Sequence, residues 1–485
     1  MKKVIFYSVA AVVLVTATSS QKKGGSAEPQ MTLVAESQQA IIGLAGSGTA
    51  TIDWGDGNIH THTLSADASY YYATYPNKSA KTIKIVGSDV QFLDCYRNQL
   101  KSLDVGKNPA LKELHCHHNQ LTKLDVSQNP ALVKLDCRNN SLSNLDVRKN
   151  SALTNLSCDD NQITRLDVSQ NPALTELSCN RNPLTSLDIS KNSALAELEC
   201  SWNKLASLDV SNNTALLLLS CKGNLLTELN VSNNTTLDYL DCFENQLTSL
   251  DVSHNTALTR LNCGKNQLTN LDVSKNTALE YLGCFENRLT NLDINKNTTL
   301  VNLDCSNNQL ISLNLNENSA LLYLNCSGNQ QTNLNVSKNA ALKELHCNDN
   351  QLTSLEINAN TALVNLNCKS NQLTGLNLSK NTALVELLCA DNQLTSLELS
   401  KNTVLEWLKC EKNQLTHLDV SKNPALEHLD CGFNNFSEAA LNALFNTLHN
   451  NTGDVKREII ITGNQGAETC DKSIAETKGW GVKSE

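Results

Sequence analysis

From Leu268 to Asn287 the chain reads LTNLDVSKNTALEYLGCFEN. Leu268, Leu271 and Val273 are followed by Asn276, and Leu279, Leu282 and Cys284 are followed by Asn287. Both halves read Leu-x-x-Leu-x-apolar-x-x-Asn, offset by 11 residues and then by 10. Side chains alternate across an extended segment. The pattern therefore predicts two short extended segments per turn of chain, each with its apolar residues inward and an Asn at the bend that follows. Six inward apolar groups per turn cannot form a core alone, so the turns must stack.

The pattern recurs with a period of 21. Cysteines stand at 95, 116, 137 and onward to 431, 17 in register, with Cys470 outside the series. Asn lies three residues after each, as at Asn98, Asn287 and Asn434, and a second Asn lies 13 after, as at Asn108 and Asn276. Leu fills the positions 8, 16 and 19 after Cys, and the position 10 after is Val, Ile or Leu. A fixed period of this length means a stacked array. The position 5 after Cys is Leu, Ile or Phe except at Gln331. An unpaired buried amide costs about 1–3 kcal/mol, so Gln331 is expected to bond a turn carbonyl or bend outward.

Leu279-x-x-Leu282-x-Cys284-x-x-Asn287-x-Leu289 is the leucine-rich repeat pattern, with Cys at its third apolar position. Over about Phe92 to Asn434 the chain resembles the bacterial surface internalins, specifically those with 21-residue repeats and a cysteine ladder, and related secreted repeat proteins. The resemblance implies a curved right-handed leucine-rich repeat solenoid of 17 rungs, with a parallel β-sheet on the concave face and a role in recognition. The helical N-terminal cap and wall-sorting tail usual in that family are not seen.

The cysteines are expected to be packed thiols. Stacked strands stand about 4.7–4.9 Å apart, whereas a disulfide wants Cβ atoms about 3.5–4.5 Å apart. Cys is also a small, readily buried hydrophobe. A disulfide framework suits small domains that lack a core, and a metal ladder is disfavoured by inward neighbours that are Leu. The two Asn columns are expected to donate to and accept from backbone in adjacent turns. Sequons on the column, such as Asn297-Thr298-Thr299, would then be inaccessible.

Outside the array, residues 1–20 read as a secretory signal: Lys2 and Lys3, an apolar run Val4 to Val15, then TATSS. Ser19 and Ser20 stand where a lipid anchor would need Cys. A linker follows over 21–30. Residues 31–90 hold short alternating runs separated by turn signals. Ile52 to Gly57 (IDWGDG), with YYYATYP and TIKIVG, resembles the small polycystic-kidney-disease-type β-sandwich of exported bacterial proteins. Asp53 and Asp56 are expected to bond their own turn rather than calcium. The solenoid is assigned to 91–434 and an α/β C-terminal cap to 435–485. In the cap, Leu441, Leu444, Phe445 and Leu448 predict a helix N-capped by Ser437. REIIITG predicts a strand, and DKSIAETKGW a short helix with Asp471 as N-cap. Such ends cover apolar edges that would otherwise aggregate.

A net charge of -10 with no basic stripe excludes a nucleic-acid footprint. No P-loop, nucleophile elbow or HExxH is present, so no enzyme and no cofactor are expected. In His115-Cys116-His117-His118, His115 and His117 point outward. A metal would need a third ligand from another rung, and solvated polar residues without a metal are expected.

Aromatics make up only 4% of the chain, so their clustering is informative. Tyr239, Tyr281 and Tyr323 recur three before Cys on every second rung, with Phe243 and Phe285 one after Cys flanking the first two on the same face and Trp202 expected at the edge nearby. A 42-residue duplication would copy them without selection, but aromatic clusters on an outward face are the chemistry of binding sites. The expected function is that of an exported or cell-surface recognition protein, a monomer with no stable membrane span, binding a protein partner. The alternatives are a glycan ligand and a structural surface spacer.

Overall fold

The computed structural model describes residue 28, residues 30–451 and residues 456–484. The expected signal segment, 1–20, lies outside the described residues, as does most of the linker. The chain forms two compact units, divided between Leu216 and Leu217. Each holds a leucine-rich repeat stack with a turn for every 21 residues. No helix among the described residues is long and apolar enough to cross a membrane.

In the first unit, β1 (Met31–Ala35), β2 (Gln39–Asp53), β3 (Ile59–Thr63), β4 (Ser69–Thr74) and β5 (Lys81–Asp94) are antiparallel. β2 pairs with β3, β4 and β5, and β1 pairs with β5 and with β6 (Leu100–Asp104). The boundary expected at residue 90 falls inside β5, whose last residues, Phe92 to Asp94, are the first strand of the parallel stack. Bulges at Ala45/Gly46 and Ser47/Ala50 bend β2. Gly46 has φ 150°, and a Cβ there would stand 2.0 Å from the Asp89 carbonyl oxygen, so only glycine fits. In the IDWGDG hairpin, Asp53 accepts from the Gly55 N–H and Asp56 from the Asn58 N–H. Those carboxylates bond their own turn, as expected. Three-residue strands then stack in parallel from Glu113–His115 to Glu197–Glu199.

In the second unit, three-residue strands stack in parallel from Leu218–Ser220 to His428–Asp430, and Arg457–Ile460 and Trp480–Lys483 follow. Helix α1 (Glu438–Thr447) is N-capped by Ser437 and buries Leu441, Leu444 and Phe445. Helix α2 (Ser473–Glu476) starts after Lys472, one residue later than expected. Asp471 instead accepts from both the N–H and the hydroxyl of Ser473.

Of the two short extended segments expected per turn, the one that leads into Cys is a paired strand. In the Val half the backbone N–H groups are bonded locally. Asn276 N donates to Val273 O and Leu279 N to Asn276 O, while Ser274 N donates to Asp272 Oδ1. Few are left for a ladder with the next turn. The exception outside named strands is a bridge between Asn335 and Glu356.

The inward column is as expected. All 18 cysteines are buried thiols, and the 17 ladder members are 0% exposed. Burial pushes the thiols of Cys221, Cys263, Cys326 and Cys368 up to about 12. Leu or its equivalents surround them at or near zero exposure. Gln331 departs from expectation: it neither bonds a turn carbonyl nor bends outward. It is 0% exposed, and its Oε1 and Nε2 make no hydrogen bond. Its backbone is held instead, by donation from its N–H to Asn350 Oδ1. Its neighbours at this position of the turn are Leu310 and Leu352, which offer no polar group to the amide.

The residue two after each ladder Cys has positive φ. It is glycine only at Gly223 and Gly328, and elsewhere carries a side chain, as at His118 (φ 54°), Glu286 (φ 50°) and Phe433 (φ 51°). A left-handed residue with a side chain costs about 1–2 kcal/mol. The amide one residue further on pins the bend. Asn287 Nδ2 donates to Cys284 O and Phe285 O, the two carbonyls that precede Glu286.

Candidate functional site

Outward positions of the strands face away from the core, and in the second unit they assemble an aromatic column. Parallel register sets Tyr239, Arg260, Tyr281, Asn302, Tyr323 and Glu344 side by side in successive turns. One position beyond Cys, Phe243, Gly264 and Phe285 follow one another in the same way. Residues two turns apart should stand about 10 Å apart. Yet the rings of Phe243 and Phe285 are 5.6 Å apart, tilted at 38°. Gly264 allows this approach: a Cβ there would meet Phe285 ring atoms at 2.7–2.9 Å. Gly283 does the same for Tyr281, whose hydroxyl would stand 3.0 Å from an added Cβ.

Charge surrounds the column. Lys265 Nζ lies 5.3 Å over the Phe243 ring and 3.9 Å from Glu244. Asp241 is 2% exposed, receives the Tyr239 hydroxyl at 3.5 Å and pairs with Lys222 at 3.4 Å. Burial, with Asp241 nearby, pushes the Tyr239 hydroxyl up to about 12. Burial also raises Tyr281 and Tyr323. The Tyr323 ring meets His346 at 5.6 Å.

All five residues of the column are half-buried, packed against one another and their strands, rather than fully exposed. Trp202 is more exposed, at 38%, but belongs to the first unit and to a different place in its turn, the left-handed position (φ 57°), with Arg181 5.9 Å from its ring. Sequence reasoning missed Gly264 and Gly283, although glycine at outward positions that are otherwise mostly polar was the available signal. It also missed the stack of Trp407 on His428, 4.1 Å apart at 14°.

No protein-family model matches the chain, and no curated protein matches it in sequence. Solved structures do. The functional domain of InlJ from Listeria monocytogenes, which includes a cysteine ladder, is 34% identical. That match covers 80% of this chain and 78% of that one, with a TM-score of 0.62. A leucine-rich repeat protein of Leptospira interrogans is 26% identical over 73% of this chain and 93% of its own, with a TM-score of 0.61. YopM from Yersinia enterocolitica shares the fold at 22% identity and a TM-score of 0.58, over 81% of this chain and 91% of its own. With a third of its residues identical to InlJ over four-fifths of its length, and with the same ladder of buried cysteines, this chain belongs to the internalin-type leucine-rich repeat proteins.

Proposed function

We propose that this is an exported, non-catalytic recognition protein that binds a protein partner through the outward face of its strands, with Tyr239, Phe243, Tyr281, Phe285 and Tyr323 as the anchor and Trp202 as a separate contact in the first unit. The observation that carries the reading is the Phe243–Phe285 contact over Gly264. Two rings brought together across an intervening turn make a continuous apolar surface, where a duplicated repeat alone would leave isolated rings. Rigid aromatic anchors bordered by charge are the usual centre of a protein interface. Alternate-turn tyrosines about 10 Å apart give the column a length of about 20 Å, suited to a protein epitope.

The test is the triple variant Tyr239→Ala, Tyr281→Ala, Tyr323→Ala, measured against a partner captured from cell-surface extracts by the full chain. Its melting temperature should stay within a few degrees of the parent, as surface truncations usually allow. Its affinity should fall at least a hundredfold, about 2.7 kcal/mol, and added soluble sugars should not compete. Unchanged affinity would make the column a relic of duplication; competition by sugars would make the ligand a glycan.

A further inference from the structure

The outward face of the first unit carries a different chemistry. His115 and His117 flank the inward Cys116, so both rings leave the same face of their strand. Register sets Asp136 of the next turn and Asp94 of the preceding turn on either side of His115. His117 Nδ1 stands 3.4 Å from Asp136 Oδ2, with the two side chains 17% and 15% exposed. One nitrogen of each histidine and one carboxylate oxygen of Asp136 lie within 4.8 Å of one another. His115 Nε2 and His117 Nδ1 are buried and make no hydrogen bond. Buried polar atoms normally have partners, and an exception asks for an explanation. The sequence offered two histidines and no third ligand; the parallel register supplies it.

The surroundings hold these three groups in place. Arg138 donates to Asp136 through Nε at 2.9 Å and Nη2 at 2.7 Å. The His117 ring stacks on Tyr96 at 5.1 Å and 18°, and His115 packs against Phe92 at 5.3 Å. Outer partners that fix ligand orientation are characteristic of metal sites. Glu113 approaches His115 Nε2 at 3.7 Å, and Lys134 approaches Glu113 at 3.9 Å. Three carboxylates, Asp94, Glu113 and Asp136, thus face two fixed cations, Arg138 and Lys134, which leaves a negative balance for an added cation.

We infer that His115, His117 and Asp136 form a binding site for a divalent first-row transition metal ion of the zinc type, with a further coordination position open to solvent or to a ligand. Two imidazoles and one carboxylate suit zinc, cobalt or nickel, where calcium and magnesium want oxygen alone. Donors about 2.0–2.1 Å from a tetrahedral zinc ion stand about 3.3 Å apart. His117 and Asp136 are already at that separation, and the His115 nitrogen lies within 4.8 Å of both. Partial exposure of all three gives the ion a way in.

The experiment uses the full chain, stripped with chelator, titrated with Zn(II) in a calorimeter and with Co(II) in a spectrophotometer. One equivalent of Zn(II) should bind. Co(II) should give the visible d–d bands of a nitrogen and oxygen site without the near-ultraviolet thiolate charge transfer that ladder cysteines would produce. Asp136→Asn, and the double variant His115→Ala, His117→Ala, should each weaken Zn(II) at least about tenfold, the lower end of what losing even an outer partner costs. His254→Ala, far along the chain in the second unit, should leave binding unchanged. None of these side chains is in the apolar core, so the metal-free variants should melt with the parent; if one of them does not fold, the other decides. Absence of stoichiometric binding, a thiolate charge-transfer band, or undiminished affinity in the double histidine variant would overturn the assignment.

Discussion

Asn287 uses both ends of its amide: Nδ2 donates to Cys263 O, Cys284 O and Phe285 O at 3.0–3.2 Å, and Oδ1 accepts from Leu268 N at 2.9 Å. Asn276, in the other half of the same turn, uses one end. Its Nδ2 donates to Val252 O and Asn255 O at 2.9 and 2.8 Å, while its Oδ1 is buried without a hydrogen-bond donor. The same holds down the second column, as at Asn150, Asn297 and Asn360. The side chain is identical, so the difference lies in the backbone. After the strand, the bend leaves N–H groups of the preceding turn unpaired and facing the amide. In the Val half, those N–H groups are already bonded within their own turn. One column therefore links turns through both donor and acceptor, and the other only ties down carbonyls.

That contrast sets the largest expected effect. Asn287→Ala leaves the buried Leu268 N–H without its acceptor, an orphan costing about 1–3 kcal/mol, and takes one donor from each of Cys263 O, Cys284 O and Phe285 O, which keep those of Asn266 Nδ2, Asn308 Nδ2 and Lys265 N. It should lower stability by about 3 kcal/mol or more. Asn276→Ala takes one donor from each of Val252 O and Asn255 O, which keep those of Asn255 N and Leu258 N, and it removes an unsatisfied oxygen, so its loss should be about half as large. Urea unfolding of the two variants checks the order, and equal losses would show that the orphaned Oδ1 is not a burden. Gln331 sharpens the same point with the opposite sign. Gln331→Leu replaces an amide that makes no bond by the residue found at Leu310 and Leu352. It should stabilise the array by about 1–2 kcal/mol, read as a higher urea midpoint; a loss would mean that the amide has a role. The smallest effect belongs to the apolar cysteine column. A thiol reagent at pH 8 should leave the 17 ladder cysteines of the folded protein unmodified, because burial removes access to all of them and raises thiols such as Cys284 and Cys305 well above their ordinary value. After denaturation without reductant, mass spectrometry should show all 18 cysteines modified. Blocked thiols at that stage would mean disulfides.

The repeat itself was legible because each inward position returns 17 times, so chance and context average out. Cys284, Leu282 and Asn287 announced their burial in this way. Features that depend on how backbone is shared between turns were not legible. The unequal asparagine columns are one case, since both read as Asn in the sequence. The bare amide of Gln331 is another, because a single departure from a pattern does not say whether the chain adjusts around it. On the outward face, Tyr239, Tyr281 and Tyr323 could be placed in register by counting. The convergence of Phe243 with Phe285 depended on what Gly264 lacks. A third ligand from another rung was foreseen as a requirement, but that Asp136 turns its carboxylate toward His117 is not written in the sequence. In α2, the local sequence favoured Asp471 as cap, but helical geometry began one residue later and left the carboxylate to Ser473.

The two ends of the coil speak the same language as its middle. Asn98, in the first turn, exchanges hydrogen bonds with Ile41 of β2, its Oδ1 accepting from Ile41 N and its Nδ2 donating to Ile41 O. At the far end, Asn464 takes the place of a ladder amide 30 residues on from Asn434, accepting from Asn434 N and donating to Cys431 O. Each end thus recognises a generic turn, not a particular one. A whole turn can be duplicated or lost between them and every inward bond is remade with the new neighbour. Length is then a quantity that recombination between near-identical repeats can change in steps of 21 residues, while foldability stays constant. The outward face would be lengthened, shortened or reshuffled with it, which lets a lineage try new surfaces without first having to invent a new core.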